Sequence, residues 1–184
     1  MITDKKLLKL TINEEKEIYR RLGYKGKIHA LITQCEIGLI WRYIYYLRID
    51  EYLSNTLNKK NLLKFLLFIL NRRRRNKLGI KLGLSIPINT VGKGITIYHS
   101  GNIIINAKAK IGQNCKLHGD NCIGNNGINE DTPIIGDNVD IGVGAKIIGD
   151  VVIADGCKIG ANAVVAKSFL KENSILVGIP AISK

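Results

Sequence analysis

From Ile111 onward every sixth residue is a branched aliphatic: Ile111, Leu117, Ile123, Ile135, Ile141, Ile147, Ile153, Ile159 and Val165, with Asn129 the one exception. The fourth residue after each is mostly small, as at Cys115, Ala145, Cys157 and Ala163, and the residue immediately after the aliphatic is often glycine, as at Gly112, Gly136 and Gly160. A period of six matches neither the 3.6 of a helix nor the 2 of a flat strand. It matches a parallel β-helix of triangular cross-section, in which each hexad supplies one short strand and one corner. The aliphatic fills the interior, the small residue sits where walls converge, and glycine eases the turn. Three hexads close one coil, so about 18 residues advance the chain by one strand spacing of about 4.8 Å. Upstream, Val91, Ile97 and Ile103 keep the spacing two residues out of phase. Ile103–Ile105 is therefore expected to absorb a register shift.

Residues 1–80 follow a different pattern and read as helical. In "LIWRYIYYLRIDEYL", residues 39–53, Ile40, Tyr43, Ile44 and Leu47 recur at three- and four-residue intervals, predicting an amphipathic helix. The apolar run Leu62–Leu70 is interrupted by Lys64. It is too short to span a bilayer, which takes roughly 20 apolar residues. Arg72–Arg75 are expected to close that helix, where positive charge suits the C-terminal dipole. Gly79, Gly83 and Pro87 then end helical structure. The predicted fold class is mainly β with an α-helical N-terminal region. The predicted organisation is a basic helical segment over 1–84 and a β-helix domain over 85–184 with a short C-terminal extension.

Charge sharpens the division. The chain carries a net +13, and residues 1–80 hold 18 Lys/Arg against 7 Asp/Glu while 81–184 hold 10 against 8. The basic half is expected to face something anionic. No aromatic-interleaved motif accompanies the charge, which argues against nucleic acid. Leu62–Leu70 beside Arg72–Arg75 and Lys77 suits peripheral contact with an anionic membrane leaflet, or a helix packed between protomers. Cys35, Cys115, Cys122 and Cys157 show no metal-type spacing, and nothing at the N-terminus looks like a secretory signal. Reduced thiols in a cytoplasmic protein, peripheral at most to the inner face of the membrane, are expected.

The hexads resemble those of the hexapeptide-repeat acyltransferases, whose solenoid is a left-handed parallel β-helix. "PIIGDNVDIGVGAKIIGDVVIADGCKIGANAVV" (133–165) resembles the acetyl-CoA-binding coils of serine-acetyltransferase-like enzymes. "GIP" (178–180), followed by Ala181, resembles their closing element. "RYIYYLRIDEYL" and "LGIKLGLSIPINT" are similar to the short-headed branch found among capsular and exopolysaccharide genes. The resemblance implies acetyl-CoA as co-substrate, no metal, and a homotrimer or a dimer of trimers. It places His99, in "YHSG", as catalytic base. It puts Val143 and Gly144 on the pantetheine groove, Ala161 one coil later at the adenine end, Lys158 and Lys167 at the phosphates, and Asn125 at the start of a mid-solenoid loop near the thioester. Where serine acetyltransferases carry Asp-Ile-His-Pro and Asp-Arg-His-Pro stretches, this chain reads "LSIPIN" and "NEDTPII".

The residues themselves allow that chemistry. His99 is the third residue of the hexad at Ile97, a corner position pointing outward, and His118 lies in the hexad at Leu117. Three hexads and the two-residue shift separate them, so both are expected on one face of successive coils. An imidazole can take a hydroxyl proton as the oxygen attacks a thioester carbonyl. A backbone N–H can stabilise the oxyanion. No Ser/His/Asp signature is present, so direct transfer without an acyl-enzyme is expected. His29 reads as structural. Three readings stand: an O-acetyltransferase acting on a surface-polysaccharide sugar or its precursor, a serine O-acetyltransferase, and a non-catalytic hexapeptide-repeat scaffold.

Overall fold

The computed structural model describes residues 1–58 and 61–184, and the chain divides into two compact units at Leu82/Gly83. The N-terminal unit contains α1 (Lys5–Arg21), α2 (Lys27–Thr33), α3 (Glu36–Asn55) and α4 (Leu62–Leu82). Asp4 caps α1, its carboxylate accepting from the Leu7 N–H at 2.8 Å. On α3 the spaced residues Ile40, Tyr43, Ile44 and Leu47 are buried as the pattern predicts. The helix is not amphipathic, however, because Arg48, Asp50 and Glu51 are buried too. Arg48 makes that tolerable: its guanidinium reaches Glu15 at 2.7 Å and Glu51 at 2.9 Å. Burial alone would lower the Arg48 pKa, but the two carboxylates outweigh it and hold the charge in place.

The expectation that the arginines end the last helix is also corrected. α4 continues to Leu82 and places Arg72–Arg75 in its middle. Arg75 pairs with buried Asp50 at 3.2 Å, and Asn71 donates to the same carboxylate at 2.6 Å. Tertiary pairing thus fixes this stretch, and the dipole argument does not apply. Gly79 stays buried inside the helix, while Gly83, with φ +68°, turns the chain out of it. Of the apolar run, Phe68 is buried whereas Leu62, Leu63, Phe65, Leu66, Leu67, Ile69 and Leu70 are exposed in the single chain.

The C-terminal unit is a parallel β-helix with three walls, its strands numbered β1 to β14 in chain order. One wall stacks β1 (Leu84–Ser85), β3 (Ile103–Ile105), β6 (Cys122–Gly124), β9 (Lys146–Ile148) and β12 (Val164–Val165). A second stacks β4 (Lys110–Ile111), β7 (Ile134–Ile135) and β10 (Val152–Ile153). The third stacks β2 (Thr96–Ile97), β5 (Lys116–Leu117), β8 (Asp140–Ile141), β11 (Lys158–Ile159) and β13 (Ile175–Gly178). The hexad aliphatics line up across the coils: Ile97 pairs with Leu117, Leu117 with Ile141, Ile141 with Ile159, and Ile159 with Leu176. All are buried. At the C-terminal end β14 (Ala181–Ser183) folds back antiparallel onto β13 through Gly178, Ile179 and Pro180.

The two breaks in the period have structural causes. Ile103 and Ile105 are both buried with Ile104 outward between them. This strand absorbs the register shift, and Ile97 meets Leu117 20 residues on. Asn129 breaks the aliphatic column because it is not in the solenoid. Ile111 pairs with Ile135, 24 residues on, and the extra hexad is spent on an exposed loop over 125–132. Asn125 donates to the Asn129 carbonyl at 2.9 Å, and Asn126 accepts from the Ile128 N–H at 3.0 Å, so side chains shape the loop from within.

Candidate functional site

The third wall points inward at Ile97, Leu117 and Ile141, so the residues beside them in sequence point out. Tyr98 and His118 occupy the outward position after β2 and β5, and Asp140 the outward position before Ile141. Register alone joins them. The Tyr98 and His118 rings stack with centroids 4.5 Å apart and planes 25° from parallel. His118 Nε2 lies 2.7 Å from Asp140 Oδ1, a diagonal contact between neighbouring strands. Nε2–H therefore donates to the carboxylate, and in the neutral ring the lone pair is left on Nδ1. Lys116 approaches the other carboxylate oxygen at 3.8 Å. The result is a half-exposed imidazole fixed on one side by an anion and on one face by a ring.

His99 stands one residue beyond Tyr98, at the corner between the third and first walls, and is exposed. Below it on the next coil is Gly119, with φ +107°. A Cβ there would lie 3.6 Å from the His99 Cβ, so the glycine leaves His99 open space beneath it as well as allowing the turn. Asn121, wholly buried, holds this corner: its side chain accepts from the Gly119 N–H at 3.1 Å and donates to the Gly142 carbonyl at 2.8 Å. His99 and His118 thus lie on successive coils, as expected, but in columns one residue apart, and it is Tyr98 that covers His118.

The same corner continues through Val143 and Gly144 to Ala161. Asn162 N donates to the Val143 carbonyl at 2.8 Å, which puts Ala161 one coil above Val143. Val143 is an exposed apolar side chain between Gly142 and Gly144. Gly144 has φ +74°, and a Cβ on it would meet Asn162 Oδ1 at 2.0 Å. This strip of small residues with one apolar projection fits an extended thioester arm lying along the backbone. Lys158 is exposed on the outer side of β11, in the column of Asp140.

Asn125 and Lys167 are elsewhere. They follow β6 and β12, at the corner where the first wall passes to the second. The Lys167 ammonium lies 5.5 Å from the Phe169 ring. One chain therefore gathers His99, His118, Val143, Gly144 and Ala161 along one edge of the prism and sets Asn125 and Lys167 on another. Sequence reasoning missed Asp140 and Asn121. The signal for Asp140 was its outward place before Ile141, but using it required the 24-residue coil that brings it beside His118.

Residues 132–167 match the family model for the bacterial transferase hexapeptide (six repeats). The chain is 32% identical over 96 residues to the serine acetyltransferase of Mycobacterium tuberculosis, covering 51% of this chain and 42% of that protein. It is 32% identical over 123 residues to that of Bacillus pumilus, covering 66% and 55%. The chain spans about half the length of the curated relatives it matches. The serine acetyltransferase of Neisseria gonorrhoeae, solved in complex with serine, superposes with a TM-score of 0.67 at 22% identity, covering 98% of this chain and 70% of that one. The soybean serine acetyltransferase apoenzyme gives 0.69 at 22% identity, covering 96% and 69%. These likenesses show the fold, a left-handed parallel β-helix with a helical N-terminal region.

Proposed function

We propose that this hexapeptide-repeat, serine-acetyltransferase-like chain moves an acetyl group from acetyl-CoA to an acceptor hydroxyl. The observation that carries the reading is the edge on which two histidines, one held by Asp140, stand beside the glycine-lined strip at Val143. In the proposed reaction the acceptor oxygen attacks the thioester carbonyl while His99 takes the hydroxyl proton. The tetrahedral intermediate collapses, the C–S bond breaks, and the imidazolium returns the proton to the departing thiolate. Val143, Gly144 and Ala161 lie along the pantetheine arm. Lys158, Lys167 and Asn125 meet the phosphates and the thioester end. The acetyl group ends on the acceptor oxygen and no acyl-enzyme forms.

L-Serine is the first acceptor to test, because the curated relatives are serine acetyltransferases. A saccharide hydroxyl is the second reading. It is favoured by "LSIPIN" and "NEDTPII", which at the matched positions have neither the aspartate nor the histidine, and by the stacked Tyr98–His118 pair, a ring surface of the kind sugars pack against. The working assembly is a homotrimer. Membrane contact through the exposed apolar run of α4 and Arg72–Arg75 belongs to the saccharide reading, since it would bring the enzyme to a lipid-linked acceptor. Among the described residues no helix is long and apolar enough to cross a membrane. Thiol release from acetyl-CoA with L-serine, with a panel of sugars and with no acceptor tests the proposal. Release stimulated by neither acceptor class would leave the scaffold reading in its place.

A further inference from the structure

The helical unit contains polar chemistry that acetyl transfer does not use. On α3, Arg42 and Tyr46 lie one turn apart on one face, and on α4 Arg74, Lys77 and Lys81 do the same at spacings of three and four. Together they line a cleft of about 440 Å³. A second cleft of about 330 Å³ is walled by Tyr24, Trp41 and Tyr45, with Lys16 and Lys27 at its sides. Arg42 and Tyr46 line both, so the two clefts adjoin along these side chains as neighbouring arms. One arm is aromatic, with Trp41 and Tyr45 ring centroids 6.2 Å apart and Tyr45 and Tyr46 5.8 Å apart. The other arm is cationic, and among the described residues no acidic side chain lines either arm.

Arg42 decides the reading. It is half-buried where the arms join, and it forms no ion pair among the described residues. The buried Arg48 and Arg75 of the same unit both have carboxylates. A partly dehydrated guanidinium without a counter-charge is costly, and an anion entering the cleft offsets that cost with a bidentate contact. An inorganic anion would use only the cationic arm. An apolar ligand would use only the aromatic one.

We propose that this cleft binds a nucleoside diphosphate, the base against Tyr45 and Trp41 and the diphosphate on Arg42, Arg74, Lys77 and Lys81. The volume is that of a small-molecule site, which typically runs to about 300–1,000 Å³. The source this chemistry fits is a nucleotide-activated sugar, since the coenzyme A of the proposed transfer is placed on the solenoid unit. Only that choice of source rests on the acyl-transfer reading; the binding inference does not, and its readout is separate from activity.

Trp41 is the only tryptophan of the chain, so its fluorescence reports on this cleft and not on the solenoid. Titration of the full chain with UDP and with ADP should give a saturable change, with uridine and inorganic pyrophosphate each binding at least about tenfold more weakly. Arg42→Gln and, separately, the exposed Lys81→Gln should weaken UDP binding, the first by about tenfold or more. Tyr45→Ser should do so by about tenfold through lost stacking. Competition tests the source: UDP-sugars should displace bound UDP and coenzyme A should not, and displacement by coenzyme A alone would overturn the assignment to nucleotide sugars. The proposal is overturned by the absence of any saturable Trp41 response to millimolar UDP or ADP. Pyrophosphate binding as tightly as UDP, or unchanged UDP affinity in folded Arg42→Gln and Lys81→Gln proteins, would overturn it equally.

Discussion

His99 owes its place to a glycine and His118 owes its orientation to an aspartate. The difference predicts different kinetic consequences. His99 is proposed to move the proton, so His99→Ala should lower kcat by about 10²–10⁴-fold in a protein with unchanged melting temperature. Wild-type turnover in that variant would remove His99 from the chemistry. Asp140 positions His118 through the 2.7 Å contact. Asp140→Asn keeps the shape and removes the charge, and should lower kcat by about tenfold with little change in acceptor KM. A fall in stability with unchanged kcat would make the pair structural. Another residue-scale effect lies inside the prism. Burial pushes the Cys115 thiol up to about 11 from an ordinary 9.0, with its Sγ–H directed at the Gly136 carbonyl at 3.2 Å. Because the folded pKa is raised, the unfolded chain releases this proton first as pH rises. The stabilisation is whole below pH 9 and disappears between about pH 9 and 11, amounting to about 2–3 kcal/mol. Chemical denaturation of wild type and Cys115→Ala across that window should show a steeper decline for the wild type, and parallel declines would refute the assignment.

At the scale of elements, the hexad column Ile97, Leu117, Ile141, Ile159 could be read in the sequence because interior filling repeats with the coil and one residue type satisfies it. The helices were less legible. α3 reads as amphipathic when Arg48 and Glu51 are taken as surface residues, and only pairing with Glu15, 33 positions away on α1, lets them be buried. The end of α4 was misplaced for the same reason: Asp50 of α3 holds Arg75 mid-helix. Within the candidate site, the exposed corner position of His99 was legible from the hexad count. Asp140 was not, since its distance from His118 in sequence includes an inserted loop. That loop gives the element-scale prediction. Excising residues 126–131 would return the Ile111-to-Ile135 coil to the 18-residue length of its neighbours. Its backbone is exposed, with internal hydrogen bonds at Asn125 and Asn126. The shortened protein should keep its β signature and melt within a few degrees of wild type, while acetyl transfer falls sharply because Asn125 stays but loses the loop, and the Asn129 carbonyl, that hold it. A collapse of the fold would show that the loop is part of the solenoid's support.

For the whole molecule, the question is how residues proposed for one reaction can lie on two edges of a prism. His99, Val143 and Ala161 occupy one edge, Asn125 and Lys167 another. A rigid, densely hydrogen-bonded coil cannot fold one edge onto the other. A second copy can supply the missing edge, and the loop carries Ile128, 90% exposed, an apolar tip suited to a neighbouring surface. In a cyclic trimer each site would take one edge from each of two chains, and the interface repeats three times by symmetry. His99→Ala and Lys167→Glu should each be poorly active alone. In a trimer assembled from equal amounts of both, a site is complete when its His99 edge comes from the Lys167→Glu chain and its Lys167 edge from the His99→Ala chain. Random assembly makes about a quarter of the sites complete. Co-refolded mixtures should therefore recover up to about a quarter of wild-type activity, and light scattering should give three times the 20.4 kDa chain mass. Activity no higher than the average of the two parents, or a fully active monomer, would place the whole site on one chain. Lys167 would then be an ordinary surface lysine resting over Phe169.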